Sequence, residues 1–443
     1  MLRKRYLLFG TQIILNSVLG YAFTRLIAFK LGASATKDVF DIAYAIPFLV
    51  LKLCGFGILH GVALTQFGNI RSTQNQCEAN KVFSTLLTLM LIMCVMLALL
   101  AFNFRESISQ ALAPGLSTNI QDQLQVLLQY MLPLSFFLGI GVFLSGVLIA
   151  YDIPLSSEFA QIGSRVFAIF WLLTSAQNFH VETVALALIS GSILAVLLQM
   201  TLVISKTPVR YVCTLKINDE TIKKILYQLP GLLSAAVIAQ FAFFNMHRMA
   251  TFIGPGTAST ISYCLFIVSP LSLLIGKPLY LLHGTRLTNL HKKNEHGAAA
   301  KLFIKLLIAA ILITIPLSIV LIFLAEPLIA LMYGGGAFDA EAITRTARLT
   351  RISLWAIPAA VIYWITLVPT LSLRRSELSG AVLATGNVIQ IIFSFLLFQD
   401  FKAEGLVAAY VIGINSQAII TTILGWTTYQ FPKKMHYPDR TLN

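Results

Sequence analysis

RLIAFKLGASATKDVFDIAYAIP, residues 25–47, and RMATFIGPGTASTISYCLFIVSP, residues 248–270, align without a gap at an offset of 223. They share Arg25 with Arg248, Phe29 with Phe252, Ala35 with Ala258 and Pro47 with Pro270. Leu26 with Met249, Phe40 with Tyr263 and Ile42 with Leu265 are near matches. Each copy puts an arginine near the end of one apolar run and a proline inside the next. Both are costly there: the charge must be paired or solvated, and proline removes a backbone donor. A second correspondence follows at an offset of 225, between Pro133 in LLQYMLPLSFFLGIGVFLSGVLIA (127–150) and Pro358 in RISLWAIPAAVIYWITLVPTLSL (351–373). Gly-bearing segments precede both, LAPGLSTNIQDQ (112–123) and LMYGGGAFDAEA (331–342). Two nearly equal offsets divide the chain into two similar halves.

The 443 residues are 57% hydrophobic and only 11% charged, with a mean hydropathy of +0.81. Soluble domains carry about 25% charged residues, so the composition specifies an all-α polytopic membrane protein. The sequence predicts twelve apolar segments, at 6–29, 39–65, 83–104, 127–150, 159–176, 183–205, 228–252, 258–282, 302–325, 352–372, 380–398 and 404–427. Each can cross a hydrocarbon core of ~30 Å. The start, MLRKRYLLFG, is basic and then apolar. Its apolar run continues to about Phe29 without a small-residue cleavage site, which predicts a retained first helix.

The net charge of +14 is spread over loops and does not indicate nucleic acid. Three basic residues precede the first span, five lie in the 206–227 linker and three in the C-terminal tail, while the loops on the other side carry seven in all. The positive-inside rule then puts both termini in the cytoplasm. Twelve spans agree with two termini on one side. The cysteines are Cys54, Cys77, Cys94, Cys213 and Cys264; none falls in an outer loop, so no structural disulfide is expected. No Cys/His spacing suits a metal and no nucleotide-binding motif is present, so no cofactor is expected.

Six spans per half is an even number, so both halves enter from the same side. This is a parallel repeat, with the substrate cavity expected between a 1–205 bundle and a 228–427 bundle. A basic linker at 206–227 joins them, and 428–443 forms a cytoplasmic tail. Alternating access by rocking is the use a transporter makes of such symmetry; an enzyme does not need it.

At these landmarks the sequence resembles the MurJ/MviN lipid II flippases, within the larger group of multidrug and polysaccharide-lipid exporters. LGASATKDVFDIAYAIP (31–47) is similar to the family's first outer loop and second helix. LAPGLS (112–117) with the 127–150 stretch is similar to its third loop and fourth helix, and FLAEPLIALMYGGGAFDAEA (323–342) to the matching part of the second half. The resemblance implies movement of an undecaprenyl-diphosphate-linked glycan from the inner to the outer leaflet of the bacterial cytoplasmic membrane, amid membrane lipids and proteins of cell-envelope synthesis. The family carries an Arg pair near the stretch Asn16-Ser17-Val18-Leu19-Gly20, which here has none. After the span 2 proline it carries arginine and then glutamate, where this chain has Lys52 and then Phe56. It carries a Tyr-Ala-Asp-Arg run where this chain reads Tyr263-Cys264-Leu265-Phe266. The load therefore stays open between lipid II and a surface-polysaccharide unit.

A diphosphate cannot cross hydrocarbon unaided, and cations in a wet cavity would carry it. Lys52 is the foremost candidate. It lies about 14 residues beyond Asp38, so ~21 Å deep at 1.5 Å per residue, where a lipid-facing lysine costs at least ~2.5 kcal/mol. The alternative is a structural cation paired with Asp41 or a helix carbonyl. Arg25 and Arg248 are placed to close the outer gate or meet the diphosphate there, or else to snorkel. Arg165 and Lys277 stand toward the inner side with the same two readings. Asp41 is the carboxylate placed to pair with a cation or bind a coupling ion. His60 and His247 read as core residues. Pro47, Pro133, Pro270 and Pro358 read as kinks lining a cavity, and Gly334-Gly335-Gly336 as a tight outer turn. The competing functions are a small-molecule exporter, which would want deep carboxylates, and a non-transporting scaffold. An enzyme would need a nucleophile–base or carboxylate pair in the 326–351 loop, and Glu326, Asp339 and Glu341 make no such set.

Overall fold

The structure, a computed structural model, describes residues 2–55, 67, 76–175, 179–212, 220–293, 295–372 and 376–430. His60, Cys213 and the end of the second predicted span lie outside them, as does the tail from 431. The described residues are helical apart from turns and one isolated bridge between Gly335 and Phe338.

The chain divides into two compact units. The first takes Met1–Ser259 and Met332–Ala342, the second Thr260–Leu331 and Ile343–Asn443. The first unit contains α1 (Leu2–Leu31), α2 (Ala35–Leu53), α3 (Gln76–Asn103), α4 (Arg105–Leu112), α5 (Thr118–Ala150), α6 (Pro154–Thr174), α7 (Val181–Lys206) and α8 (Glu220–Thr251). Within it α7 packs along α5 and α6, α2 along α5 and α8, and α1 along α6. Apolar residues of α2, α3, α5 and α7 fill the interior. One cluster centres on Phe67, Phe83 and Phe143, another on Ile42, Ile46, Leu127 and Val184.

The second unit holds the body of α9 (Thr257–Lys292), then α10 (His296–Phe323), α11 (Ala325–Tyr333), α12 (Ala340–Ser353), α13 (Ala356–Ser372) and α14 (Ser376–Gln430). α12 and α13 are bent by 45° at a short break. Pro358 stands in the first turn of α13, just past that break. Its missing N–H costs nothing there, because the first-turn donors have no intrahelical partner. Pro47, Pro133 and Pro270 lie inside α2, α5 and α9.

α14 comprises two spans. Lys402, at φ 46° and ψ −118°, reverses the chain, and the predicted spans 380–398 and 404–427 run down either side. Gly386 and Gly413 let the two sides meet. A Cβ on Gly386 would lie 2.8 Å from the Gly413 carbonyl oxygen and would collide with Gln417, whose Nε2 donates to the Leu383 carbonyl at 3.0 Å. Small residues at a crossing replace the hydrophobic drive that lipid does not supply. Gly386→Leu should separate the pair, at roughly 1–3 kcal/mol. The expected outcome is a lower melting temperature and a smaller monodisperse peak on size-exclusion chromatography in detergent. An unchanged melt would show that the crossing is not tight.

Among the described residues the predicted spans fall on helices with two departures: the second, 39–65, leaves helix at Leu53 for a turn at Cys54–Gly55, where Gly55 takes a φ of +73°, and the tenth, 352–372, is interrupted at Leu354–Trp355. Among the described residues, seven helices are individually long and apolar enough to cross a membrane, eight when the bent α12–α13 pair counts as one. Their outward residues are apolar: Phe323 is 80% exposed, Leu331 69% and Leu312 68%. In water such faces would drive association; here they meet lipid.

Candidate functional site

Two features of the first unit stand out: an end where turns pack together, and a polar stripe running away from it along α2.

The turn end begins at the α1–α2 turn. Ser34 sits in extended backbone as the N-cap of α2, and its Oγ accepts from Lys37 N–H at 3.3 Å. One turn on, Asp38 is completely buried. Its carboxylate accepts two hydrogen bonds from the start of α9, from Gly256 N–H at 2.7 Å and Ser259 N–H at 2.6 Å. The first N–H groups of a helix have no partner of their own and carry the positive end of its dipole. Asp38 is therefore an N-cap lent by another helix.

The repeat brings its own copies together here. Gly256, the counterpart of Ala33 at the offset of 223, packs on the Ala33 carbonyl oxygen, where a Cβ would collide; its φ of +81° also requires glycine. Two further turns join. Ala337 N–H donates to the Phe29 carbonyl at 2.8 Å, Tyr21 Oη to the Met332 carbonyl at 3.1 Å, and Gly115 N–H to Thr251 Oγ1 at 3.2 Å. The Gly334–Gly336 segment makes a tight turn, with Gly335 N–H bonded to the Phe338 carbonyl at 3.3 Å.

The stripe lies on one face of α2. Lys37, Asp41, Tyr44, Phe48 and Lys52 follow at spacings of three or four, which align on a helix. Lys37 Nζ pairs with Asp41 Oδ1 at 2.5 Å, while the buried Asp41 Oδ2 has no hydrogen-bond partner among the described residues. Tyr44 stacks on Phe40 and meets the edge of Phe48. It lies within electrostatic range of both Asp41 and Arg165. His247 on α8 is buried, stacked on Phe243 with centroids 3.9 Å apart, and within range of Asp41 and Lys37.

At the far end of the stripe, Lys52 Nζ donates to Gln240 Oε1 on α8 at 2.7 Å. Gln240 is buried and holds the Ala45 carbonyl with Nε2 at 3.4 Å. Lys52 thus has a neutral partner rather than Asp41. Arg165 reaches from α6 to the Asn16 carbonyl on α1 and lies over Gly20. Arg25 and Arg248 are exposed near the ends of α1 and α8. Lys277 is half-buried in α9, in the second unit. The structure thus groups Asp41 and Arg165 around Tyr44 and joins Lys52 to α8. Sequence reading missed Asp38, Lys37, Tyr44 and Gln240. The three-four spacing could have found Lys37 and Tyr44; nothing local marks Asp38 or Gln240 for their partners.

The family described as "Lipid II flippase MurJ" matches residues 27–435. The lipid II flippase MurJ of Burkholderia cenocepacia is 24% identical over 347 residues, which cover 76% of this chain and 66% of that protein. The chain thus spans about two thirds of that relative's length. Among solved structures, a lipid II flippase MurJ in an inward closed conformation superposes with a TM-score of 0.76 at 19% identity, covering 98% of this chain and 88% of that one. An inward-facing MATE family multidrug resistance transporter of the MOP superfamily gives 0.78 at 14% identity, covering 97% and 96%. The fold is thus the all-α, two-repeat architecture that the internal offset predicts. With the match running from the end of α1 to beyond α14, the chain is a member of the MurJ family of multi-pass membrane proteins.

Proposed function

We propose that the chain is a flippase. It moves a polyprenyl-diphosphate-linked glycan from the inner to the outer leaflet of the bacterial cytoplasmic membrane, with both termini in the cytoplasm. The observation that carries this reading is the cation at membrane depth with a neutral partner. Lys52 sits in the last turn of the apolar α2, and facing lipid at mid-membrane a lysine would cost about 2.5 kcal/mol or more. Gln240 orients its ammonium without cancelling its charge, so the ammonium stays available to a phosphate. In this orientation the turn end lies on the outer side, and its hydrogen bonds support reading it as the shut side. The diphosphate would enter from the cytoplasmic side, meet Lys52 and Arg165, and travel along the α2 stripe toward Arg25 and Arg248. Lys277 would serve it from the second unit. Asp41 would act as the charge partner that the passing cargo perturbs, and rocking of the 1–205 and 228–427 bundles about the 206–227 linker would open the outer end. A cation exporter on this fold would need uncommitted deep carboxylates, and Asp41 is committed to Lys37.

Depletion of the protein in its native cell, followed by mass spectrometry of polyprenyl-linked intermediates, tests the reading. Accumulation of one such intermediate is expected, lipid II with growth arrest or a polysaccharide unit with survival. If no lipid-linked sugar accumulates, the flippase reading fails.

A further inference from the structure

We infer that α3 and α5 form a binding groove for one chain of an anionic glycerophospholipid, with the lipid's phosphate held by Arg105. The groove has a volume of about 360 Å³ and runs from Cys94 to Phe102 on α3 and from Gln129 to Phe137 on α5. Its walls include Val95, Leu99, Phe102, Leu132 and Phe136. Leu99 is 56% exposed and Phe102 41%, so the groove opens on its outward side to the surrounding hydrocarbon.

Depth and charge select the occupant. Nine residues of each helix give a length of ~12 Å at 1.5 Å per residue, close to one leaflet of a ~30 Å core. One end lies at mid-span, in the middle of 83–104 and of 127–150. The other lies at the head-group level beside the α3–α4 turn. At mid-span the polar groups are Cys94 and Ser135, bonded to each other at 3.5 Å and buried; the charged group stands at the second end. Arg105 places its guanidinium carbon 4.8 Å from the centre of the Phe102 ring and donates through Nη1 to the Phe102 carbonyl at 3.0 Å. Its remaining donors suit a phosphate. The neighbouring Glu106 accepts from Gln110 at 3.4 Å. Gln129, exposed in the wall, makes no side-chain hydrogen bond among the described residues and suits a lipid ester. A partner protein helix would need a seam across the whole membrane; this groove stops halfway, as a lipid chain does. The leaflet is the outer one in the orientation proposed above, and the inference rests on that reading only for this name.

Native mass spectrometry of the delipidated full chain, titrated with phosphatidylglycerol or phosphatidylcholine, tests it. The wild type should retain one phosphatidylglycerol, preferred by roughly tenfold, the scale of one charge-assisted contact. Arg105→Ala should erase the preference while lipid still binds. Ala98→Phe should fill the groove and lower occupancy by both lipids; Ala98→Leu is the milder version should the first not fold, as judged by melting. Equal retention and equal preference in wild type and variants would overturn the inference. So would displacement of phosphatidylglycerol by an equimolar polyprenyl diphosphate, which would give the groove to the transported lipid instead.

Discussion

Asp38→Ala is expected to unlatch the outer end and abolish transport. The substitution leaves the Gly256 and Ser259 N–H groups buried without an acceptor, at roughly 1–3 kcal/mol each, and removes the negative charge from the start of α9. Since each 1.4 kcal/mol is tenfold in an equilibrium, the closed form should lose at least roughly tenfold in population. Asp38→Asn keeps one acceptor oxygen and should lose about half as much free energy. Ser259 is completely buried, so Ser259→Cys reports opening. Combined with Asp38→Ala, it should react with a membrane-impermeant maleimide added outside the cell, whereas Ser259→Cys alone should not. Unchanged labelling with intact transport would mean that the cap contributes nothing to gating.

Lys52→Met should stop transport while leaving the fold in place. Relieving a charge at membrane depth stabilises by about 2.5 kcal/mol. Leaving Gln240 Oε1 without its donor costs about 1–3 kcal/mol. The two offset, so the melting temperature should move little. Transport in reconstituted vesicles should fall roughly thirty-fold or more, the loss of one charged contact to phosphate. Lys52→Arg should recover part of it. The double variant Lys52→Met, Gln240→Leu replaces both partners with apolar groups and should be at least as stable as the wild type, yet inactive. Normal transport by that double variant would reduce Lys52 to a structural role.

The two variants separate what the sequence discloses from what only the fold provides. The spans, the repeat and the family were legible because apolar length, prolines and glycines are local signals that recur at a fixed offset. The partners were not. Asp38 and Ser259 are separated by 221 residues, Lys52 and Gln240 by 188, and Arg165 and Asn16 by 149; no spacing within one helix announces such pairs. The alternative pairing of Lys52 with Asp41 is different, since helix geometry argues against it: eleven residues rise ~16 Å, beyond the reach of a lysine. The neighbour one turn away from Asp41, Lys37, was always the better partner.

Each bond that fastens the turn end has a main-chain group on at least one side: the N–H groups of Gly256, Ser259, Gly115 and Ala337, and the carbonyls of Phe29 and Met332. Such a fastening asks for few side chains: Asp38, Thr251 and Tyr21 make the bonds, and glycines give the room. In the orientation proposed above, evolutionary drift can rewrite most of what these loops display to the outside, antibodies and phages included, provided those side chains and glycines persist. The same tolerance makes the loops candidate insertion points for epitope tags, with Gly256 and the residues flanking Asp38 left untouched.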